Sequence, residues 1–509
     1  MSFRTLIFLV VFCSLFFQAG GQEQFYFNER IDHFNNSDNS RNIIEIEDGY
    51  IVFGHTEDSI YNYFYQYSFI KLSLYGDVEW VKIYGDTIND YLEGQPGSII
   101  KYGENKYFSC GYKSIWEGSE LSYCGYLLCL NNDFDTLWSR TYCENNLPYD
   151  SIYIFNQVKK CSDGGLIFTG MLSTKTEYSK IWLLKTDSLG NKIWDKFFSD
   201  GTQKYQGYSV IQTTDGGYAI GGYKYKPSDS NSGDPLIIKT DSLGIEEWTI
   251  NPGSNLNDNK AMLTISLDGY IIAATNYGTE SFGDNRKAKN QILIIRNDGE
   301  VISNKLYGES LYDNFLTQII FKNNGEIVAA GSYSSFTPDT PSIVGWVLCL
   351  DENENQKWYH EYVKLLGEHS HNYLYTIIST NDSGFITCGY VEPVQPDTGN
   401  IDIWVLKLDS LGYDTTTVGI FERRAENSSE LIIYPNPVGN ELVLTLDKEA
   451  ESNLSVSFFN MLGIKVEEIE IPAGKPSISV NVSAWESGMY VAVMRQQGKI
   501  IGKRKFVVQ

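Results

Sequence analysis

The stretch Asp215 to Trp248, DGGYAIGGYKYKPSDSNSGDPLIIKTDSLGIEEW, constrains the fold more than any other feature, because degenerate copies of it recur along most of the chain. Four short apolar runs, YSVIQ, GYAIGGY, PLIIK and EEW, are separated by Gly- and Asp-rich turns, and none has helical periodicity. Asp-Gly-Gly and Asp-Ser-Leu-Gly suit tight reversals, since Gly accepts positive φ and Asp bonds back to nearby amides. The unit reads as a four-stranded antiparallel meander.

The small residue closing the second strand recurs at Gly54, Gly111, Gly170, Gly222, Ala274, Gly331 and Gly389, at intervals of 57, 59, 52, 52, 57 and 58. Trp80, Trp138, Trp194, Trp248 and Trp358 each fall nine residues after Lys71, Cys129, Lys185, Lys239 and Cys349. One such sheet cannot bury a core alone and must stack on its neighbours, so seven copies predict an all-β, seven-bladed β-propeller over residues 22–414. The seventh copy stops after VLKLDSLG without a fourth strand, while QFYFNERID precedes the first copy unassigned. The N-terminal strand is therefore expected to complete the last blade.

Residues 1–21 read as a signal peptide, with Arg4, the apolar run LIFLVVFCSLFF and small residues Ala19 to Gly21 ahead of Gln22. No other stretch reaches transmembrane length. Seven cysteines remain after residue 21. Cys110 with Cys388 and Cys129 with Cys349 occupy equivalent repeat positions, as buried small hydrophobes do, and Cys124, Cys143 and Cys161 could include one bridge. The formal net charge of -24 argues against a nucleic-acid binder and disfavours electrostatic docking on anionic membranes.

Residues 415–430 are polar and read as a linker; from Leu431 to Gln509, seven alternating runs predict a small Ig-like β-sandwich. Within it stand Tyr434-Pro435-Asn436-Pro437, then Asn460-Met461-Leu462-Gly463 leading into a strand, then Gly488-Met489-Tyr490, and a basic last strand with Lys503, Arg504 and Lys505. In this order, at the end of a chain, they resemble the C-terminal sorting domain of type IX secretion cargo in Bacteroidetes. The resemblance implies that the type IX machinery is a partner and that the product is secreted or attached to the outer surface, with Tyr434, Pro435, Asn436, Pro437, Gly463, Gly488 and Tyr490 as the sorting motif. The repeats resemble more loosely those of other secreted Bacteroidetes proteins, a resemblance that carries no activity.

In an up-and-down blade the first and third connections lie on one face and the second and fourth on the other. The first and third are uniformly tight, whereas the second and fourth vary, which places any binding face on the latter. The variable loop 57–67 is rich in aromatics, and Tyr61, Tyr63 and Tyr65, with Trp116 in the next blade, are the candidate residues for stacking on sugar rings. Asp86, Asp90, Asp150, Asp200, Asp258, Asp313 and Asn372 recur in the fourth connections, where a ring of carboxylates could hold Ca²⁺ or simply organise turns. His369, His371 and His33 fall near one junction but lack metal-ligand spacing, so no metal site is assigned. Lys71, Lys185, Lys239 and Lys407, with Arg296, form a row that Cys129 and Cys349 interrupt, the mark of a structural position. No nucleophile elbow, HExxH or phosphate loop is present, so no catalytic residue is assigned. The expectation is a non-enzymatic module binding a glycan or a protein; the alternative is a polysaccharide-active hydrolase or lyase with acidic catalytic residues on the same face. A convergent, partly buried acid pair would favour the alternative.

Overall fold

The computed structural model describes residues 26–414 and 431–508, apart from 33–36, 59–63, 118–119, 144–150, 176, 227–228, 283–284, 309–312, 335–341, 367–368, 394–398, 436, 447–453, 461–464, 476 and 497–498. The expected signal peptide and linker lie outside the described residues. The chain divides into two compact units, Met1–Val418 and Gly419–Gln509. The described residues contain strands and turns and no helix, so none is long and apolar enough to cross a membrane.

The first unit is built of seven antiparallel blades. Blade one runs Asp38–Ile46, Gly49–Asp58, Phe64–Leu72, Val78–Tyr84, and blade four Tyr205–Gln212, Tyr218–Lys226, Asp229–Thr240, Glu246–Ile250, each strand pairing with the next. Blade seven takes His371–Ser379, Phe385–Glu392 and Asp402–Leu408 from its own repeat, and Phe27–Ile31 from the N-terminus as its outermost strand. Neighbouring blades share apolar clusters, and the cluster joining Phe27, Ile31, Cys388 and Val405 of blade seven to Ile43, Val52 and Ile70 of blade one closes the ring. Sheets covered on both faces this way explain why the second and third strands read as nearly continuous apolar runs.

The fourth-strand aromatic shows how the blades interlock. Trp194 pairs in register with Lys185, Trp248 with Lys239, and Phe27 with Lys407, so the borrowed strand brings an aromatic to the tryptophan position of blade seven. Each ring lies against the third-connection glycine of the following blade: a β-carbon added at Gly244, φ +75°, would meet Trp194 at 2.8 Å, and one at Gly76, φ +93°, would meet Phe27 at 2.7 Å. Phe134 (φ 59°) and Glu354 (φ 61°) hold the same left-handed turn position in blades two and six.

The lysine row pairs with the first connection. Lys239, fully buried, reaches Asp215 at 2.9 Å and Glu247 at 2.7 Å, Lys185 reaches Asp163 at 2.9 Å, and Lys407 reaches Asp382 at 2.6 Å. Where Cys129 and Cys349 replace the lysine, Glu104 and Asn324 stand in the aspartate position, so both members of the pair change together. Asn324 still accepts the Glu326 N–H at 3.2 Å, the turn bond that Asp215 makes to Gly217 at 3.0 Å. Blade five departs from the expected alignment. Arg296 lies in its third turn, where Arg296 N bonds Glu300 O as Asp241 N bonds Ile245 O elsewhere, and Arg296 pairs with Glu300 rather than joining the lysine row. By the same register Thr275, and not Ala274, stands where blade four has Gly222.

The first strands line the axis. In five of them the ladder slips by one residue, and the extra residue is Arg41, Asn156, Tyr208, Thr317 or Tyr375. Such bulges aim one side chain out of the regular alternation. Blade two instead splits its first strand into Tyr91–Glu93 and Ile99–Lys101.

The second unit is a two-sheet sandwich. Leu431–Tyr434, Glu441–Leu446 and Ser477–Asn481 form one sheet, and Lys465–Ile471, Leu454–Asn460, Gly488–Gln496 and Lys499–Val508 the other. Leu442, Leu444, Val456, Phe458, Met494 and Phe506 fill the space between them. Tyr490 belongs to that core, its ring stacked on Phe506 and its hydroxyl donating to Glu486 O at 2.8 Å. Tyr434, Pro435 and Pro437 are exposed, whereas Asn436 and Gly463 lie outside the described residues.

Candidate functional site

On the face of the second and fourth connections, the axial ends of several blades bring together charged and aromatic groups that the repeat does not share. Arg41, on the first-strand bulge of blade one, lies over the Tyr375 ring of blade seven at 5.5 Å and hydrogen-bonds to that residue. Burial works to lower its value, but Glu93, Tyr375 and Tyr112 outweigh burial and raise it. Glu93 closes the first half of the split strand in blade two and is wholly buried, with its Oε2 2.6 Å from His55 Nδ1. Burial alone would raise the Glu93 carboxyl; His55 and Arg41 bring it below its ordinary value, so it stays a carboxylate. Its Oε1 has no hydrogen-bond partner among the described residues.

Lys260, just ahead of the first strand of blade five, donates to Gln95 Oε1 of blade two at 2.9 Å and lies 4.6 Å from the centre of the Tyr208 ring of blade four. Burial, followed by the like charge of Arg41, pushes its ammonium down to about 7. The free amine is therefore within reach near neutral pH, as it is not for an ordinary lysine. Tyr373, Tyr375 and Tyr390 pack together beside Arg41, and Tyr112, pushed up to about 12 chiefly by burial, stacks edge-on against Tyr123. Tyr112 and Tyr123 also line a pocket of about 290 Å³ with Leu92, Ile152, Ile154 and Met171. Two cations, a carboxylate–imidazole pair and a wall of phenols can hold an anion and move a proton beside it.

Of the aromatics expected to carry binding, Tyr65 meets the His55 ring edge-on at 5.0 Å, at the margin of the axial group. Trp116, nearly half exposed, lines a groove of about 530 Å³ with Phe64, Ile88, Lys113 and Ile115. Tyr61 and Tyr63 lie outside the described residues. Lys113 links the groove to the blade-two strand through a 3.0 Å hydrogen bond to Tyr91.

The acidic residues singled out for Ca²⁺ do not converge. Asp86 accepts from Asn89 N at 2.8 Å and Tyr91 Oη at 2.8 Å, Asp200 from Thr202 N at 2.9 Å and Tyr205 Oη at 2.9 Å, and Asp258 from Gly278 N at 2.7 Å. Asn372 accepts from Lys364 N and Leu365 N, both at 2.8 Å. These groups fold their own loops. Asp150 and the side chain of Asp313 lie outside the described residues. Asp32, Asp38 and Asp402, near the blade-seven closure, do cluster, but Asp402 is already paired with Arg30. His371 pairs with Glu392 at 2.8 Å, and His33 is not among the described residues. Cys124 and Cys143 form a disulfide beside the second and fourth connections of blade two, and the other described cysteines are free and buried.

Sequence reasoning missed Arg41, Glu93, Tyr208 and Tyr375 because they lie on first strands and not in the variable loops, and Lys260 because only acidic and amide residues were singled out in the fourth connections. A usable signal was present: the bulge position recurs in place from blade to blade, yet holds Arg, Asn, Tyr, Thr and Tyr in turn.

Fold and site together define a β-propeller with a polar axial site, joined to a small β-sandwich. Residues 432–509 match the secretion system C-terminal sorting domain, so the sandwich is a type IX sorting tail and the chain is cargo destined for secretion or the outer surface. A funoran endo-beta-hydrolase of Wenyingzhuangia aestuarii is 25% identical over 136 residues, a stretch that is 26% of this chain and 17% of that protein. Among solved structures, the chain is similar to a polysaccharide lyase, ulvan lyase (TM-score 0.46, 9% identity, 74% of this chain and 96% of that one). It is also similar to an α-L-arabinofuranosidase of Fusarium graminearum (TM-score 0.41, 8% identity, 61% and 91%). Likenesses this distant transfer no activity.

Proposed function

We propose that this protein is a secreted polysaccharide-active enzyme that works on an anionic polysaccharide at the axial site. One observation carries the reading: a chain of net charge -24 gathers Arg41 and Lys260 at one end of its axis, beside the Glu93–His55 pair. Such a concentration of cations against the overall charge selects an anionic ligand, and the tyrosine wall supplies faces for sugar rings. The partial likeness to a funoran hydrolase agrees with a carbohydrate substrate. Among the described residues, the carboxylate that acts on Arg41 is Glu93, held on the His55 ring.

The test is to incubate the full chain with a panel of neutral, uronate and sulfated polysaccharides, following binding by salt-dependent retention and cleavage by chain length. Anionic polymers should bind and shorten, and Arg41→Ala should weaken binding at least about tenfold, since a hydrogen bond to a charged group contributes roughly 1.5–3 kcal/mol. Equal behaviour of neutral and anionic polymers would sink the reading. A second reading, glycan binding without turnover, is favoured by the exposed Trp116 in its groove. It predicts retention on the same polymers with no shortening, and loss of retention in Trp116→Ala.

A further inference from the structure

Resting on that reading, we infer that the axial site cuts uronate-bearing chains by β-elimination and not by hydrolysis, with Lys260 as the group that takes the proton. Hydrolysis of a glycosidic bond commonly uses two carboxyl groups facing each other across the bond, one as acid and one as base or nucleophile. At the axis the carboxylate acting on Arg41 is Glu93, fully buried, with one oxygen held by His55. The next carboxylate outward, Asp90, accepts the Tyr65 backbone N–H at 3.1 Å and acts on Tyr112 and Tyr123. Neither is placed as half of a facing pair. What the axis offers is a fixed guanidinium and an amine.

Those are the groups that elimination requires. In a uronate the hydrogen on C5 is α to the carboxylate, and becomes acidic only when the charge that develops on the carboxylate oxygens is matched by a cation. Arg41, oriented by Tyr375 and by the buried Glu93, is that cation and cannot itself lose a proton. Lys260 Nζ, held by Gln95 and lying over Tyr208, takes the C5 proton; the electron pair of the C5–H bond forms the C4=C5 double bond, and the C4–O bond breaks. The departing oxygen receives the proton from the Lys260 ammonium, so atoms and charge balance with no water and no co-reactant. Glu93 and His55 are positioning residues: they hold Arg41 and touch no reacting atom.

Lys260 must be uncharged to begin the cycle. The groups facing it are the Gln95 amide, the Tyr208 ring and Arg41, while Asp258, two residues away, is turned to Ser254 and Gly278. With its ammonium pushed down to about 7, the rate should rise with pH through that value.

The experiment uses the full chain on alginate, polygalacturonate, hyaluronate, chondroitin and a sulfated glucuronate polymer, in water enriched in ¹⁸O. Elimination gives products with an ultraviolet-absorbing unsaturated uronate at the new non-reducing end and no ¹⁸O. Shortened chains carrying ¹⁸O and no unsaturation would overturn the inference while leaving the proposed function standing; no shortening of any polymer would overturn both. Lys260→Arg keeps the charge but removes the proton acceptor, and should lower the rate about 10²–10⁴-fold with polymer binding retained. A Lys260→Arg protein that binds and still eliminates at the original rate, with the rise near neutral pH intact, would remove Lys260 from the role.

Discussion

Lysines on opposite faces of one ring behave as different kinds of residue. On the tight-turn face Lys185, Lys239 and Lys407 are each matched to the aspartate of the first connection in the same blade. On the other face Lys260 occurs once, faces an amide, a phenol ring and a like charge, and is pushed toward its neutral form. In this ring the recurring lysines hold the blades, whereas Lys260, which occurs once at its place and has no counter-charge facing it among the described residues, stands with Arg41 and Tyr208 at the axis.

The largest expected effect that could break this comparison comes from the repeated row. Lys239→Cys alone should cost about 2 kcal/mol, because the packed stem is lost and Asp215 and Glu247 are left facing each other; both are partly solvated, which keeps the figure below that of a wholly buried pair. Adding Asp215→Asn reproduces the blade-six combination and retains the turn acceptor, so the double variant should be more stable than the sum of the two single losses predicts. Strict additivity in thermal melting would show that the pair is not the unit.

Gly244→Ala should cost about 1–2 kcal/mol by equilibrium unfolding, from the left-handed backbone and the approach to Trp194. Since Phe134 holds the same conformation in blade two, a loss at Gly244 near zero would mean that neither the backbone angle nor the approach to Trp194 sets the residue there.

The smallest effect has the opposite sign. In Lys260 the native value of about 7 lies below the unfolded value of roughly 10.4, so between them the unfolded chain binds more protons and stability rises with pH. Below pH 7 the native state carries an uncompensated ammonium. Lys260→Met should therefore melt roughly one to two degrees higher than the native protein at pH 6, with the gap closing by about pH 10. A uniform gap across that range would mean that packing and not charge is responsible.

Most of the ring was legible from spacing alone. Trp80, Trp138, Trp194, Trp248 and Trp358 gave the register, and the missing last strand pointed to the N-terminus. What escaped was chemistry that varies at a fixed place. Phe27 replaces a tryptophan by function and not by identity, and the run IIRND, so like IIKTD, made Arg296 look like a lysine equivalent although it fills the place of Asp241. The axial group escaped because Arg41, Glu93 and Lys260 are far apart in sequence and only ring closure makes them neighbours. Tyr65 and Trp116 could be singled out because they sit in connections whose composition differs visibly between blades.

The borrowed strand also has a mechanical meaning. Asp402–Leu408, the last strand before the chain leaves toward the tail, is not at the outer edge of its blade but lies between Phe385–Glu392 and Phe27–Ile31. Just past it, Asp414 receives a hydrogen bond from Asn28 of the N-terminal strand at 3.0 Å. A pull on the chain beyond Asp414 is thus resisted in shear by two ladders at once, whose bonds must part together instead of peeling one by one. Traction applied through the sorting tail is therefore borne by the same clasp that closes the ring.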